Sequence, residues 1–418
     1  MKISILTLGT RGDVQPYLAL AAALAARHHS VTLAAPGDFQ SWVEEYGLRF
    51  HSLGMEFQAF LQKPEVRRAL TGQWFGLIRA WRRVIVPLMR DMLEGAWAAA
   101  SDADVVIYHP KVIAAPDICE RNGALPICAA VVPIFPTREF PLLVTSRNFG
   151  SLLNKFSYRL FSFSRLAYLS ILNRWRRQTL GLGRGPSLSA PGSFRGRLHP
   201  RLCAISPALV PRPSDWDDGI HLTGAWVLPS TDPWQPDETL QRFLQQGPPP
   251  VYIGFGSMTT ADPLGLTRTM IRAVERSGVR AILATGWGGL SSDEAPSSIH
   301  LLEGAPHDLL FPLCRAVVHH GGAGTTAAGL RAGLPTLICP FGVDQPFWGG
   351  RVSSLGCGPE PLPIKRVNAD GMAARLTDLV NTEKYRYNAR RIQAEMAKES
   401  GVETAADAIE RMAMIRCV

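Results

Sequence analysis

The chain lacks paired cysteines. Its seven (119, 128, 203, 314, 339, 357 and 417) are scattered, odd in number and contain no C-x-x-C pair. That argues against a disulfide framework or a structural zinc site, and points to a reducing cytoplasm. No apolar run approaches the roughly 18 residues that a membrane-spanning helix needs. The amino-terminal run from Met1 to Gly9 is too short for a signal peptide, and Arg11, Gly12 and Asp13 interrupt it where an apolar region would continue. It reads instead as a first buried strand. Between Phe140 and Arg201 there is no Asp or Glu at all, against eleven Lys and Arg.

That acid-free stretch also carries Phe156, Tyr158, Leu160, Phe161, Phe163, Leu166, Tyr168, Leu169, Ile171, Leu172 and Trp175. A solvated basic face is the plain interpretation. Basic and bulky apolar residues mixed at helical density also suit an anionic membrane surface, where each nearby cation contributes about 1 kcal/mol. A protein peripheral to the inner face of the membrane is therefore expected. Nucleic acid is not expected as a partner, since no recognition motif accompanies the charge of +9.

With 46% apolar and 19% charged residues over 418 positions, the composition is that of a globular chain of two or three domains. Ile3–Leu8, Ser30–Ala35, Val105–Tyr108 and Ala129–Pro133 read as strands, and Val14–Ala26 and Asp38–Tyr46 as helices. This alternation predicts an α/β domain with a parallel sheet. Residues 62–100 and 140–182 look like helical insertions that shape a cavity. Prolines 207, 211, 213, 229, 233 and 236 crowd an expected connection. The pattern then restarts with strands at Val251–Gly254, Arg280–Thr285, His300–Glu303, Val317–His320 and Thr336–Cys339, and helices at Leu266–Ser277 and Thr325–Ala332. A helical tail covers 383–415. The expected division is 1–210, a linker 211–236, a second domain 237–400, and a closing helix 401–418.

The densest chemistry lies in residues 317–349. An apolar strand runs into His319-His320, then a glycine-rich turn (Gly321-Gly-Ala-Gly324), then a helix near Thr325. Such a turn bares backbone N–H groups at the positive end of a helix dipole, a site for phosphate. An imidazole at its mouth adds a donor, and Asp344-Gln345 offers acceptors and donors suited to sugar hydroxyls. Phosphate and sugar together suggest a sugar nucleotide.

This segment resembles the donor-binding segment of inverting, GT-B-fold glycosyltransferases of family 1, nearest the sterol 3-beta-glucosyltransferases. The resemblance extends to Leu8-Gly-Thr-Arg-Gly-Asp-Val-Gln-Pro-Tyr17, Val251-Tyr-Ile-Gly-Phe-Gly-Ser-Met258, Ala305-Pro-His-Asp-Leu-Leu-Phe-Pro312 and Gly329-Leu-Arg-Ala-Gly-Leu-Pro335. It implies two Rossmann-like doubly wound domains facing across a cleft, with the last helix crossing back to the first domain. It implies transfer of a hexose, foremost glucose from UDP-glucose, to the hydroxyl of a sterol-like or other lipophilic acceptor. Asp13 matches the proposed catalytic base, although an Asp directly before Val14-Gln-Pro16 is also a good helix N-cap. Gly9, Thr10, Arg11 and Gly12 form the supporting loop. Gly9 and Gly12 are expected to let the backbone turn tightly, and Arg11 to steady the loop or a phosphate. Ser257 and His320 match diphosphate contacts, with Gly322, Gly324, Thr325 and Thr326 as further donors to the same anion. Asp344 and Gln345 match the pair that grips sugar hydroxyls, and His307 lies in the uracil loop. The chain departs from the pattern at Val343, which occupies a position where relatives often have glycine.

No cofactor beyond the nucleotide sugar, and no metal, is expected. Asp102-Ala-Asp104 spells D-x-D but abuts a strand without companion acids. A tailoring glycosyltransferase for polyketide or peptide aglycones is the enzymatic alternative. A non-catalytic sugar-nucleotide or lipid binder is the other, and it would have no need of Asp13. An NAD-dependent enzyme fits poorly, because Gly-Thr-Arg-Gly-Asp is not the three-glycine dinucleotide pattern.

Overall fold

A computed structural model of the chain describes residues 1–56, 86–143, 147–188, 190–229, 234–256, 258, 262–284 and 295–417. In chain order the front half contains β1 (Lys2–Leu6), α1 (Arg11–Ala26), β2 (Ser30–Ala35), α2 (Gln40–Glu45), β3 (Arg49–Ser52), α3 (Val86–Ala100), β4 (Val105–Tyr108), α4 (Ala115–Asn122), β5 (Leu125–Ala130), α5 (Ser151–Ser157), α6 (Arg159–Gln178), a small hairpin β6 (Ser193–Phe194) and β7 (Arg197–Leu198), then β8 (Arg201–Cys203) and β9 (Ile220–Leu222). The rear half contains α7 (Glu238–Gln245), β10 (Val251–Gly254), α8 (Pro263–Ser277), β11 (Ala281–Ala284), β12 (Ile299–Leu302), α9 (His307–Leu310), β13 (Ala316–His319), α10 (Ala323–Arg331), β14 (Thr336–Ile338), α11 (Gln345–Ser354), α12 (Ala369–Asn381), α13 (Glu383–Met396) and α14 (Gly401–Cys417).

The central strands are short apolar runs because helices cover both faces of each sheet. Val105, Val106, Ile107 and Tyr108 are all buried, as are Val251, Tyr252 and Ile253. The front sheet has the order β3-β2-β1-β4-β5-β8-β9 and the rear sheet β12-β11-β10-β13-β14, and every pairing in the two is parallel. In each sheet the winding reverses once, between β1 and β4 and between β10 and β13. Ligands of open parallel sheets bind beyond the carboxyl ends of the strands at such reversals. The two halves therefore each present one ligand-binding crevice, and the fold is GT-B.

The segment expected to be a connection, 211–236, includes β9, which pairs with β8 and extends the front sheet. The tail forms two helices rather than one. Of these, α14 buries Ala405, Ala406 and Ile409 among front-half residues such as Leu20 and Leu24, next to α1. Arg27 pairs with Asp407 and Glu410 at its edge. Part of the 62–100 insertion, residues 62–85, lies outside the described residues; the rest is α3.

The basic stretch is not uniformly a surface. Arg165, Arg176 and Arg201 are buried. Arg165 donates to both oxygens of the buried Asp117 (2.8 and 2.7 Å), Arg176 pairs with Asp117 and with Glu120 (2.8 Å), and α6 is thereby clamped to α4. The D-x-D acids are likewise engaged. Asp102 pairs with Lys2 Nζ at 2.8 Å and Asp104 accepts the Lys2 backbone N–H at 2.7 Å, closing the turn onto β1.

Candidate active site

The loop from β1 to α1 turns at Gly9, whose φ of +141° is costly for other residues. A Cβ there would lie 2.0 Å from Asp13 Oδ2. Gly9 is thus what allows the carboxylate to fold back over the turn. Gly12 has no such constraint: it sits in the first turn of α1, its φ is not positive, and a Cβ would meet nothing closer than 3.8 Å. The tight turn expected at both glycines belongs to Gly9 alone.

Asp13 is not the N-cap. The helix begins at Arg11, two residues ahead of it, with Thr10 at the cap, and Asp13 occupies the third helical position. Its Oδ2 accepts the Thr10 N–H at 3.0 Å, the acid arm of a capping box. Its other oxygen is held from β4's end of the crevice. Lys111 Nζ donates to Oδ1 at 2.7 Å, and His109 Nε2 lies 3.5 Å away. His109 Nδ1 accepts the Lys111 backbone N–H, so the ring proton resides on Nε2, facing Asp13. Burial lowers the His109 pKa to about 3, so the ring is neutral and serves as a polar neighbour rather than an ion partner. For Asp13, burial pushes the carboxyl up, but the Lys111 and His109 interactions and the Thr10 N–H outweigh it and hold the carboxyl below its ordinary value. The group is ionised at neutral pH.

Arg11 is exposed and rests over the Trp42 ring at 4.8 Å, with its Nε on Gln15 Oε1 at 3.2 Å. Its charge contributes to depressing His307 of the rear half.

In the rear half the imidazole of His320 sits between two glycines. A Cβ on Gly322 would approach its Nε2 to 2.6 Å, and one on Gly256 (φ +60°) its Cε1 to 3.4 Å. Burial lowers its pKa to about 4, so it is a neutral donor rather than a cation in the free protein. Its Nδ1 is buried without a partner among the described residues. Gly322 caps α10 without a side-chain hydrogen bond, and the first-turn N–H groups around Gly324 and Thr325 have no intrahelical acceptor. Thr326 differs from expectation. It is buried, and both its N–H and its hydroxyl donate to the Gly322 carbonyl (2.9 Å each), so neither is free for an anion. His319 shapes the turn by accepting the Gly321 N–H at 3.0 Å. Ser257 lies outside the described residues.

Asp344 caps α11, and its Oδ2 accepts Trp348 Nε1 at 3.0 Å. Burial raises its carboxyl, and the Asp13 charge adds to the rise while Lys111 opposes it. The Asp13 charge thus reaches Asp344 from the front half. Gln345 is 5% exposed, and its Oε1 accepts the N–H groups of Phe341 (2.7 Å) and Gly342 (3.2 Å). The amide oxygen is thus engaged by the loop, which leaves the amide nitrogen for any other partner. Between them Val343 projects into solvent, 73% exposed, with φ +57°. His307 is packed as well: its ring stacks on Phe311 at 4.4 Å, with Tyr252 at the edge and its hydroxyl 3.5 Å from Nε2. Burial lowers it to about 4.

His109 and Lys111 escape a sequence reading because Tyr108-His-Pro-Lys111 carries no motif of its own. The available signal is topological: a strand paired with β1 across the winding reversal must end beside Asp13. Among the described residues no group of three or more His, Cys, Asp or Glu could hold a metal ion.

Comparison with known proteins agrees with this geometry. Residues 3–141 match the glycosyltransferase family 28 N-terminal domain, and residues 282–412 match the erythromycin biosynthesis protein CIII-like C-terminal domain. The chain is 34% identical over 440 residues to a sterol 3-beta-glucosyltransferase of Aspergillus fumigatus, covering 98% of this chain and 30% of that protein. A sterol 3-beta-glucosyltransferase of Cryptococcus neoformans is also 34% identical over 443 residues, covering 98% and 27%. The chain thus spans less than a third of the length of these relatives. Among solved structures, the kitacinnamycin glycotransferase superposes with a TM-score of 0.70 at 18% identity, covering 98% of both chains. The calicheamicin glycosyltransferase CalG4 gives 0.69 at 20%, covering 98% of this chain and 97% of that one. The glycosyltransferase VinC, solved with dTDP, gives 0.67 at 20%, covering 99% and 100%. The chain has the GT-B glycosyltransferase fold, and its sequence resembles the sterol 3-beta-glucosyltransferases along 98% of its length.

Proposed function

We propose that this protein is an inverting, metal-independent hexosyltransferase that moves glucose from UDP-glucose, or a hexose from a related nucleotide sugar, to the hydroxyl of a sterol-like lipophilic acceptor. The observation that carries the reading is Asp13. It is a carboxylate at the winding reversal of the front sheet, held by Lys111 and the Thr10 N–H, whose charge reaches Asp344 of the rear half.

In this reading Asp13 takes the acceptor proton as the hydroxyl oxygen attacks the anomeric carbon, opposite the departing diphosphate. General-base help of this kind contributes roughly 10²–10⁴-fold. His320 and the N–H groups around Gly324 and Thr325 receive the diphosphate, balancing its charge with dipoles already in place. Ser257 is proposed as a further diphosphate contact, Asp344 as the acceptor for sugar hydroxyls, Gln345 as a donor through its amide nitrogen, and His307 as part of the wall beside the base. Arg11 supplies an exposed cation at the cleft. We assign residues 1–210 to acceptor binding, 211–236 to the connection, 237–400 to the donor, and 401–418 to the return to the front half. The basic and apolar 140–201 region supports an acceptor drawn from an anionic membrane surface on the cytoplasmic side.

A second reading, transfer to a soluble natural-product aglycone, draws on the match of residues 282–412 to the erythromycin-type domain. A screen of UDP- and dTDP-sugars against sterols and polyketide aglycones, read by mass spectrometry, separates the two. Glucosylated sterol with UDP-glucose is the expected product. Product only with aglycones would replace the first reading, and calorimetric silence toward every nucleotide sugar would refute both.

A further inference from the structure

One face of the helix pair α5–α6 is apolar, periodic and bare. Within α5, Leu152 (76% exposed), Leu153 (60%) and Phe156 (60%) stand three and four residues apart, which places them on one helical face, while Leu160 (64%) follows at the start of α6 and Phe149 (49%) just precedes the α5 cap Gly150. Isolated exposed leucines need no explanation, but a continuous stripe of large apolar side chains does.

The opposite face is firmly built. Asn154 is fully buried and donates to the Arg138 carbonyl (3.0 Å) while accepting the Phe149 N–H (3.0 Å). Ser157 Oγ accepts the Leu142 N–H at 2.7 Å, and Tyr158 is buried with its hydroxyl donating to the Phe140 carbonyl at 3.2 Å. The stripe is therefore held out rigidly rather than swinging on a loose loop. Lys155 and Arg159 flank it on the same two helices. The Lys155 side chain is 48% exposed, although its Nζ is 3.5 Å from Asp215, and the Arg159 guanidinium lies 5.2 Å over the Phe156 ring. No acidic residue lies anywhere in 140–201. Further along α6, Tyr168 and Ile171 pack against a cluster of Met55, Met89 and Met92, which Leu8, the residue just before the Gly9 turn, also meets.

We propose that the Phe149–Leu160 stripe is a docking surface for an anionic lipid bilayer, in which the five apolar side chains enter the acyl boundary and Lys155 and Arg159 meet the headgroup phosphates. An apolar stripe flanked by two cations, one of them near the single carboxylate of Asp215, matches that surface in both hydrophobicity and sign. Because α6 and Leu8, just ahead of the Gly9 turn, pack against the same methionine cluster, docking would hold the front crevice beside the bilayer from which a lipophilic acceptor departs. The proposal deepens the reading of the acceptor given above and rests on it only for its purpose, not for its measurement.

The experiment is vesicle co-sedimentation without donor or acceptor, using liposomes of phosphatidylcholine with about 30% phosphatidylglycerol, and of phosphatidylcholine alone. The wild type is expected to bind the anionic vesicles, to bind the neutral ones at least about tenfold less, and to be released by salt as the headgroup attraction is screened. The double substitution Leu152→Ser, Phe156→Ser should lower binding at least about tenfold. Its circular-dichroism melt and its transfer to a detergent-dispersed sterol should stay unchanged, since both side chains are exposed. Lys155→Glu with Arg159→Glu should abolish the preference for anionic vesicles. Wild-type binding retained by the serine variant would overturn the proposal. So would a wild-type dimer that the serine variant converts to monomer in light scattering, because the stripe would then seat a second copy. Absence of sugar transfer with vesicle binding intact would refute the proposed reaction but not the docking surface.

Discussion

Replacing Asp13 by Asn separates the two jobs its carboxylate does. One oxygen accepts the Thr10 N–H at 3.0 Å and the other is bound by Lys111 at 2.7 Å. The amide oxygen of Asn can keep the first bond, so the capping arm survives. The lost negative charge near the helix N-terminus costs about 0.3–1 kcal/mol. The lost pair with Lys111, whose side chain is 52% exposed, costs a further ~0.2–1 kcal/mol after solvent screening. The new amide nitrogen would confront the lysine ammonium, but that exposed side chain can turn to water. A total near 2 kcal/mol or less leaves the protein folded. If Asp13 is the base proposed above, its loss removes about 2.7–5.4 kcal/mol of transition-state stabilisation, the equivalent of 10²–10⁴ in rate. Single-turnover assays with UDP-glucose and a dispersed sterol should therefore show a rate constant for transfer at least about 100-fold lower. Calorimetry should show UDP affinity within about twofold of the wild type. A rate within tenfold of the wild type would refute the base assignment. A rate loss matched by an equal loss of UDP affinity would show that Asp13 acts through the donor site instead.

Lys111→Met tests the partner. Lys111 helps hold the Asp13 carboxyl below its ordinary value, so that its charge stabilises the fold above the unfolded carboxylate pKa and ceases to do so as pH falls through the folded one. His109 is neutral at pH 7, and Asp344, whose carboxyl is raised by burial and by the Asp13 charge, takes its proton first as pH falls. Without the ammonium the acid limb of both kcat/KM and thermal stability should move to higher pH, with up to about a fivefold change in rate at pH 7; an unmoved acid limb would exclude the coupling. Val343→Gly should raise the thermal midpoint. It relieves a β-branched residue at φ +57°, worth about 1–2 kcal/mol, against about 0.5–1 kcal/mol of added chain entropy; a lower midpoint would mean that Val343 packs usefully there. Asp117→Asn should destabilise by about 3–5 kcal/mol in denaturant titration, because it leaves Arg165 and Arg176 buried without their shared anion; a cost below about 1 kcal/mol would show that the cluster is slack.

Residues whose part depends on local geometry alone are legible in the sequence. Gly9 and Gly322 stand out as glycines at turns, and their missing Cβ atoms are what admit the Asp13 carboxylate and the His320 ring. The family resemblance singles out His320 rather than His319, and the neighbouring turn engages His319 in its own hydrogen bond. Where a side chain could serve either a ligand or its own loop, chain order offers no means to choose. Thr326 and Gln345 are expected to face the donor, yet the Thr326 hydroxyl and the Gln345 amide oxygen each satisfy a nearby backbone group whose burial would otherwise leave it unpaired. Gly12 is expected to share the turn, and the helix absorbs it because the cap falls at Thr10 rather than at Asp13.

Apolar period, glycine placement and residues adjacent along the chain are enough to specify the alternation of strand and helix. They also specify the two parallel sheets and the motif order that marks the donor turn and Asp13. What meets across the windings is a different matter, because it depends on which strands lie side by side. Lys111 and His109, about a hundred residues from Asp13, reach it because β4 pairs with β1 at the reversal of the front sheet. Asp344 feels Asp13 because two separately wound sheets face one cleft. The buried arginines of α6 are indistinguishable in sequence from those left on its surface, because charge composition is blind to which face of a helix a partner such as Asp117 occupies.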